Sequence, residues 1–219
     1  MEESVSLTRR AMLCASIAGG AALALGVAPS EEASAREASS TASAASRTQY
    51  GFLVAVSRCS GCGRCVEACR KENGLSDDTP DRRVVSAFQR DRGRTFFAST
   101  SCMHCAEPSC MGVCPAGAIS KDGNGVVRVD SGRCIGCKYC YQACPYGVPR
   151  YNSMAMDKCD CCQASGVVLG EEDPHCVRAC KFGALKFGPI DELADAIGDA
   201  AVPIAEANNP SCLVLGVGR

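Results

Sequence analysis

The sequence predicts an α+β fold of short strands and short helices strung between long cysteine-bearing loops. Three observations carry that reading. Sixteen of the 19 cysteines fall into four quartets. Apolar runs of strand type, Phe52-Leu53-Val54-Ala55-Val56 and Val126-Val127-Arg128-Val129, stand just ahead of the first and third quartets. Cys114-Pro115-Ala116-Gly117-Ala118-Ile119 and Cys180-Lys181-Phe182-Gly183-Ala184-Leu185 close two other quartets with nearly the same pattern, so one unit recurs along the chain.

Each unit reads as a strand, a cysteine loop, a helix of one or two turns around the last cysteine, and a return strand. Asp122-Gly123-Asn124-Gly125 is a hairpin turn between Ala118-Ile119 and Val126–Val129. Arg82 to Phe97, with Val84-Val85 and Phe96-Phe97 flanking Asp91-Arg92-Gly93, reads as a second hairpin inserted between the first two quartets. Six phenylalanines, five tyrosines and no tryptophan leave a thin apolar core, so bound groups are expected to act as internal staples.

The quartets set the chemistry. Cys59, Cys62, Cys65 and Cys69 follow C-x2-C-x2-C-x3-C, and Cys134, Cys137, Cys140 and Cys144 repeat it, followed by Pro145. Cys102, Cys105, Cys110 and Cys114 have a longer middle gap before Pro115, and Cys159, Cys162, Cys176 and Cys180 have a longer one still. Two-residue gaps wrap three thiolates around one side of a cubane, and the fourth ligand comes from a distant cysteine. Four quartets therefore predict four [4Fe–4S] clusters. Zinc usually takes two separated cysteine pairs rather than triplets with a Pro-tailed fourth member. A disulfide framework gives the triplets and the proline no role. Cys161, between Cys159 and Cys162, leaves open which of Cys161 and Cys162 is the second ligand of the last quartet.

Beyond residue 48 the chain carries 19 Lys+Arg and 19 Asp+Glu. Each oxidised cluster with its thiolates adds about −2, giving roughly −8 when loaded. Arg58, Arg64, Arg70, Lys71, Arg133, Lys138, Lys158, Arg178 and Lys181 stand beside the ligands and are candidates to offset that charge. The neutral polypeptide argues against a nucleic-acid binder. No Ser/His/Asp set, phosphate loop or carboxylate pair stands out, so no catalytic residue is expected. His104 and His175 flank ligands and are expected to face solvent, while Tyr139, Tyr141, Tyr146 and Phe182 are expected to cover clusters. Cys14 falls in the N-terminal segment, and Cys212 is expected to be a buried small apolar residue.

Residues 1–35 read as a twin-arginine-type signal peptide. Arg9-Arg10 precedes an apolar stretch to Ala28, interrupted by Gly19, Gly20 and Gly26 and short for a membrane span. Residues 36–49 read as a disordered Ser/Ala-rich spacer, and 50–219 as the folded domain. The expected destination is the periplasm or the outer face of the cytoplasmic membrane.

From Tyr50 to about Pro210 the order of motifs resembles the four-cluster iron–sulfur subunits of the dimethyl sulfoxide reductase family of molybdopterin oxidoreductases. Cys59-Ser60-Gly61-Cys62-Gly63-Arg64-Cys65, Cys134-Ile135-Gly136-Cys137-Lys138-Tyr139-Cys140, Cys144-Pro145-Tyr146-Gly147 and Lys158-Cys159-Asp160-Cys161-Cys162 carry the resemblance. Lys181 and Arg70 depart from it, standing where the family usually has proline. The resemblance implies duplicated ferredoxin-like modules with exchanged fourth ligands: Cys59/Cys62/Cys65/Cys180, Cys159/Cys162/Cys176/Cys69, Cys102/Cys105/Cys110/Cys144 and Cys134/Cys137/Cys140/Cys114. It also implies an outer lobe of 50–100 plus 151–219 and an inner lobe of 101–150. The function it implies is electron transfer between a membrane quinone-linked partner and a molybdopterin-containing catalytic subunit in anaerobic respiration. A free-standing exported polyferredoxin is the competing reading, against which the hairpin and the tail from Pro189 to Arg219 are expected to provide surface for a partner.

Overall fold

The computed structural model describes residues 48–89 and 93–216. The expected signal peptide, nearly all of the spacer and the hairpin tip at 90–92 lie outside the described residues. Among the described residues, no helix is long and apolar enough to cross a membrane.

Strand β1 (Tyr50–Ala55) leads into the first cysteine loop and helix α1 (Arg64–Glu72). A hairpin follows, β2 (Val84–Gln89) and β3 (Thr95–Thr100), then α2 (Ser109–Gly112) and the hairpin β4 (Ile119–Lys121) and β5 (Val127–Val129). Helix α3 (Tyr139–Ala143), the two-residue strands β6 (Arg150–Tyr151) and β7 (Met156–Asp157), and α4 (His175–Arg178) carry the chain through the last two quartets. The chain ends in β8 (Leu185–Pro189), α5 (Ile190–Asp195), β9 (Ala201–Pro203) and β10 (Cys212–Leu215).

Both expected hairpins form. Ile119 faces Val129 across β4–β5, and Asp122 Oδ1 accepts the N–H groups of Asn124 and Val126 to close the turn. In β2–β3, Val85 lies opposite Ser99 and Phe88 opposite Phe96, so the pairing runs past Phe97 to Thr100. In three units the helix carries the third cysteine, and the fourth follows it; only α1 holds both, as Cys65 and Cys69.

The main sheet has the order β8-β1-β10-β9. Five of the six residues of β1 are buried, as a central strand covered on both faces requires. It pairs antiparallel with β8 and parallel with β10. Gly51 permits that parallel contact, because a Cβ there would lie 2.3 Å from the Ser211 carbonyl oxygen.

Of the tail that was expected to offer partner surface, only the last strand is internal among the described residues. Cys212, Leu213 and Val214 are buried in β10 beside Phe52 and Val54, and Cys212 is the small apolar core residue its composition suggested. The main core joins Phe52, Val54, Val56, Leu185 and Val214 to several cysteines. A smaller one groups Ile119, Val127, Cys140 and Met156. The β6–β7 hairpin spans the expected lobe boundary, and its Tyr151 and Met156 pack with Cys134 and Cys140.

Candidate cluster-binding sites

One backbone feature recurs in all four cysteine loops. The residue just before the second cysteine has a left-handed φ: +74° at Gly61, +43° at His104, +67° at Gly136 and +57° at Cys161. This conformation turns the loop so that successive sulfurs point to one side. Glycine adopts it freely, and other residues pay for it. Gly61 has a steric need as well, since a Cβ would lie 2.6 Å from the Phe97 ring. In the last loop Cys161 and Cys162 are both left-handed, at +57° and +64°.

The loops bring the sixteen thiols together in four groups. Cys59, Cys62, Cys65 and Cys180 line one cavity, walled by Val54, Phe182 and Leu185. Cys114, Cys134, Cys137 and Cys140 line another, walled by Ile119, Tyr151 and Met156. In the third group burial pushes the Cys69 thiol far up, and its neighbours Cys159, Cys176 and Cys162 push it further. In the fourth, burial raises Cys110 to about 12, with Cys102, Cys144 and Cys105 adding to the rise against the lowering pull of Lys158. We call these the Cys59, Cys134, Cys159 and Cys102 sites.

Helices exchange cysteines between neighbouring sites. Helix α1 supplies Cys65 to the Cys59 site and Cys69 to the Cys159 site, and it packs on α4, which is followed by Cys180 and carries Cys176. Helices α2 and α3 pack together likewise, joining the Cys102 and Cys134 sites through Cys110–Cys114 and Cys140–Cys144. The Cys159 and Cys102 sites meet where Cys161 Sγ lies 3.3 Å from His104 Nε2. The four sites therefore follow one another in the order Cys59, Cys159, Cys102, Cys134.

Sulfur is well supplied with donors. The amides of Ala118 and Ala184 donate to Cys114 and Cys180, each at 3.3 Å, the same contact in two copies of the unit. Met156 N–H donates to Cys134 at 3.4 Å, and Asn73 Nδ2 donates to Cys162 at 3.5 Å. Ser99 Oγ lies 3.2 Å from Cys65 Sγ, and Tyr151 Oη 2.9 Å from Cys140 Sγ.

The donor set fits an iron–sulfur core. Four soft thiols surround each of the two cavities, and no carboxylate or imidazole lines either one. Burial raises Cys105 to about 11 and Cys176 to about 12, so these crowded thiols resist ionising together without a positive core between them.

Several expectations need correction. His104 does not face solvent: it has no exposure, and its Nδ1 accepts the Val127 N–H at 3.1 Å. His175 instead contacts Ser165 Oγ at 3.0 Å from a half-buried position. Tyr139 and Tyr141 are exposed rather than covering, whereas Tyr146 is half-buried and packs on the core that holds Cys102 and Cys105, its hydroxyl donating to the Ala207 carbonyl. Phe182 does wall a cavity while remaining half exposed.

Among the expected cations, Arg70 pairs with Asp81 at 2.8 Å and Arg178 with Glu172 at 3.1 Å, whereas Lys158 is buried and donates to the Val127 and Cys159 carbonyls. Sequence reasoning missed Asn73, Ser99 and Arg83. The one available signal was Arg82-Arg83 at the foot of a hairpin, two adjacent arginines of which an alternating strand must turn one inward.

Two models of a 4Fe-4S dicluster domain match this chain, over residues 58–118 and 93–190. The B subunit of the anaerobic dimethyl sulfoxide reductase of Escherichia coli (strain K12) is 42% identical over 183 residues, covering 76% of this chain and 88% of that protein. Its counterpart of the same name from Haemophilus influenzae is 38% identical over the same shares. The thiosulfate reductase electron transfer subunit of Salmonella typhi is 39% identical over 66% of this chain and 78% of that one. With its thiol groups and this extent of similarity, the chain belongs to the iron–sulfur electron-transfer subunits of the dimethyl sulfoxide reductase family.

Proposed function

We propose that the chain holds four [4Fe–4S] clusters in a row and relays single electrons between a membrane quinone-linked subunit and a molybdopterin catalytic subunit. In this reading it has no catalytic residue of its own. The single observation that supports it most is the serial order of four thiol sites joined by shared helices. When bound, the clusters supply the one-electron redox chemistry. The polypeptide's part is to fix their spacing, keep water out and place amide and hydroxyl donors on the sulfurs. The proposed ligand sets are the four groups described above, with Cys162 rather than Cys161 completing the Cys159 site.

The surface at the row's ends supports a bound partner over a free-standing carrier. Cys62 and Cys137 are exposed, one at each end. Beside Cys137, Ile135 is 68% exposed and Tyr139 59% exposed, an apolar patch of the kind a partner covers. The names of the relatives, as subunits of reductases, point the same way. Export by the twin-arginine route belongs to the same proposal, since that route carries proteins already folded around their cofactors.

The test is Cys134→Ser in the assembled complex. Quinol-driven turnover should collapse while the catalytic partner still accepts electrons from artificial dyes. Unchanged quinol-driven turnover would refute a through-chain path.

A further inference from the structure

Two adjacent arginines at the foot of the β2–β3 hairpin have opposite surroundings. Arg82 is held by carboxylates, with Nη2 at 2.8 Å from Asp157 and Nη1 at 3.4 Å from Asp160. Asp160 follows Cys159 directly, so this pair anchors the hairpin to the loop of the Cys159 site. Arg83 points the other way and is 1% exposed. Its Nη1 donates to the Ser99 carbonyl and to Ser99 Oγ, both at 3.2 Å, and its Nη2 donates to Ser101 Oγ at 2.9 Å. The guanidinium lies 4.6 Å from the centre of the Phe52 ring. No carboxylate pairs with it among the described residues.

A guanidinium keeps its charge at any ordinary pH, so a buried one without a counter-ion calls for negative charge close by. The neighbours that can supply it are sulfurs from two sites. Ser99 Oγ, which Arg83 holds, is also 3.2 Å from Cys65 Sγ in the Cys59 site. Cys176, Cys159 and Cys69, all in the Cys159 site, act on the guanidinium as well, together with Cys65. Phe52, Cys65, Cys159 and Cys176 pack in one core.

We propose that Arg83 is a positioning residue set between the first two clusters, where its fixed positive charge raises the reduction potentials of both and offsets their mutual repulsion. The inference rests on the four-cluster reading. Reduction makes each cluster more negative, so a cation beside it favours the reduced form. Because the charge serves two sites at once, the clusters at the Cys59 and Cys159 sites shift together when it is removed. The Cys102 and Cys134 sites, which lie on the far side of the Cys161–His104 contact, do not.

The test is a redox titration of the iron-loaded full chain, followed by paramagnetic resonance, in the unchanged protein and in Arg83→Met and Arg83→Lys. In Arg83→Met two of the four potentials should fall, each by about a tenfold change in the oxidised-to-reduced ratio at fixed potential, or about 59 mV for a one-electron couple. In Arg83→Lys most of that shift should be recovered. Four unmoved potentials in Arg83→Met at full iron content would overturn the proposal. So would a lysine variant shifted as far as the methionine one.

If Arg83→Met fails to hold iron, the lysine variant decides: retention of iron supports a charge role, and its loss overturns one. An unchanged protein that binds no iron–sulfur cluster would instead sink the four-cluster reading and this inference with it.

Discussion

At the Cys59 and Cys134 sites the left-handed residue is glycine, and the cysteine after it, Cys62 or Cys137, reaches the surface. At the Cys159 and Cys102 sites that residue is Cys161 or His104, each without solvent exposure, and the two side chains meet at 3.3 Å. One loop geometry is thus finished in two ways. At the two ends the turning residue brings no side chain of its own, and the cysteine after it stays thinly covered. A side chain at the same position fills the space between the middle sites and carries the packing from one to the next. A relay needs that contrast, with partners at its ends and dry protein between.

Removing iron is the harshest challenge to this comparison. The Cys59 and Cys159 sites hang on a four-stranded sheet whose core includes Phe52, Val54, Val56, Leu185 and Val214. The Cys134 site rests on hairpins of two or three residues per strand and a core of four buried residues. So small a core does not sustain structure alone. Stripping iron should abolish hydrogen-exchange protection in β4–β7 entirely, while β1 and β10 keep a residue of theirs. Equal loss in both regions would break the distinction. Retention of full protection throughout would also refute the idea that clusters staple this fold.

The next largest effect falls on the adjacent thiols Cys161 and Cys162. Cys162→Ser should remove one cluster, about four irons of roughly sixteen. Cys161→Gly should keep all of them, because glycine accepts the left-handed turn and the thiol it removes faces His104 rather than Cys69. Iron analysis of the two variants separates them. Lost iron in Cys161→Gly with none lost in Cys162→Ser would reverse the ligand assignment.

Replacing His104 acts more mildly. His104→Phe keeps the bulk but leaves the buried Val127 N–H without its acceptor, a cost of about 1–3 kcal/mol. Chemical denaturation of the iron-loaded chain would measure it. An unchanged midpoint would mean that the middle of the row is not held by this contact.

How much of this was legible in the sequence depends on what each residue answers to. The cysteine quartets, the β1 run and the two hairpins are written locally, in spacing, apolar pattern and turn residues, and the structure forms those strands and the turn between β4 and β5. Residues whose surroundings come from distant segments were misread or missed. His104 looked like a loop histidine because nothing near it in sequence shows that Val127 N–H needs an acceptor. Arg83 passed unnoticed because its partners, Ser99, Ser101 and Phe52, come from the hairpin's other strand and from β1. The tail looked surplus, since a parallel pairing of β10 with β1 links residues some 160 positions apart and no local pattern encodes it.

The smallest effect is expected at the thinly covered far end, and it tests whether that end is tuned at all. Tyr151 Oη lies 2.9 Å from Cys140 Sγ, and Lys138 Nζ sits 5.7 Å from the same ring's centre. Burial and then the Cys140 sulfur push the phenol well above its usual range, so it stays protonated and serves as a donor to a ligand thiolate. A donor on a ligand sulfur withdraws charge and favours the reduced cluster. Tyr151→Phe should therefore lower only the potential of the Cys134 site, with a stability loss of about 1 kcal/mol and no loss of iron. Resonance-monitored titration resolves this from the paired shift expected of Arg83→Met at the opposite end. A shift at any other site in Tyr151→Phe would mean that the four sites do not titrate as separately as their walls imply.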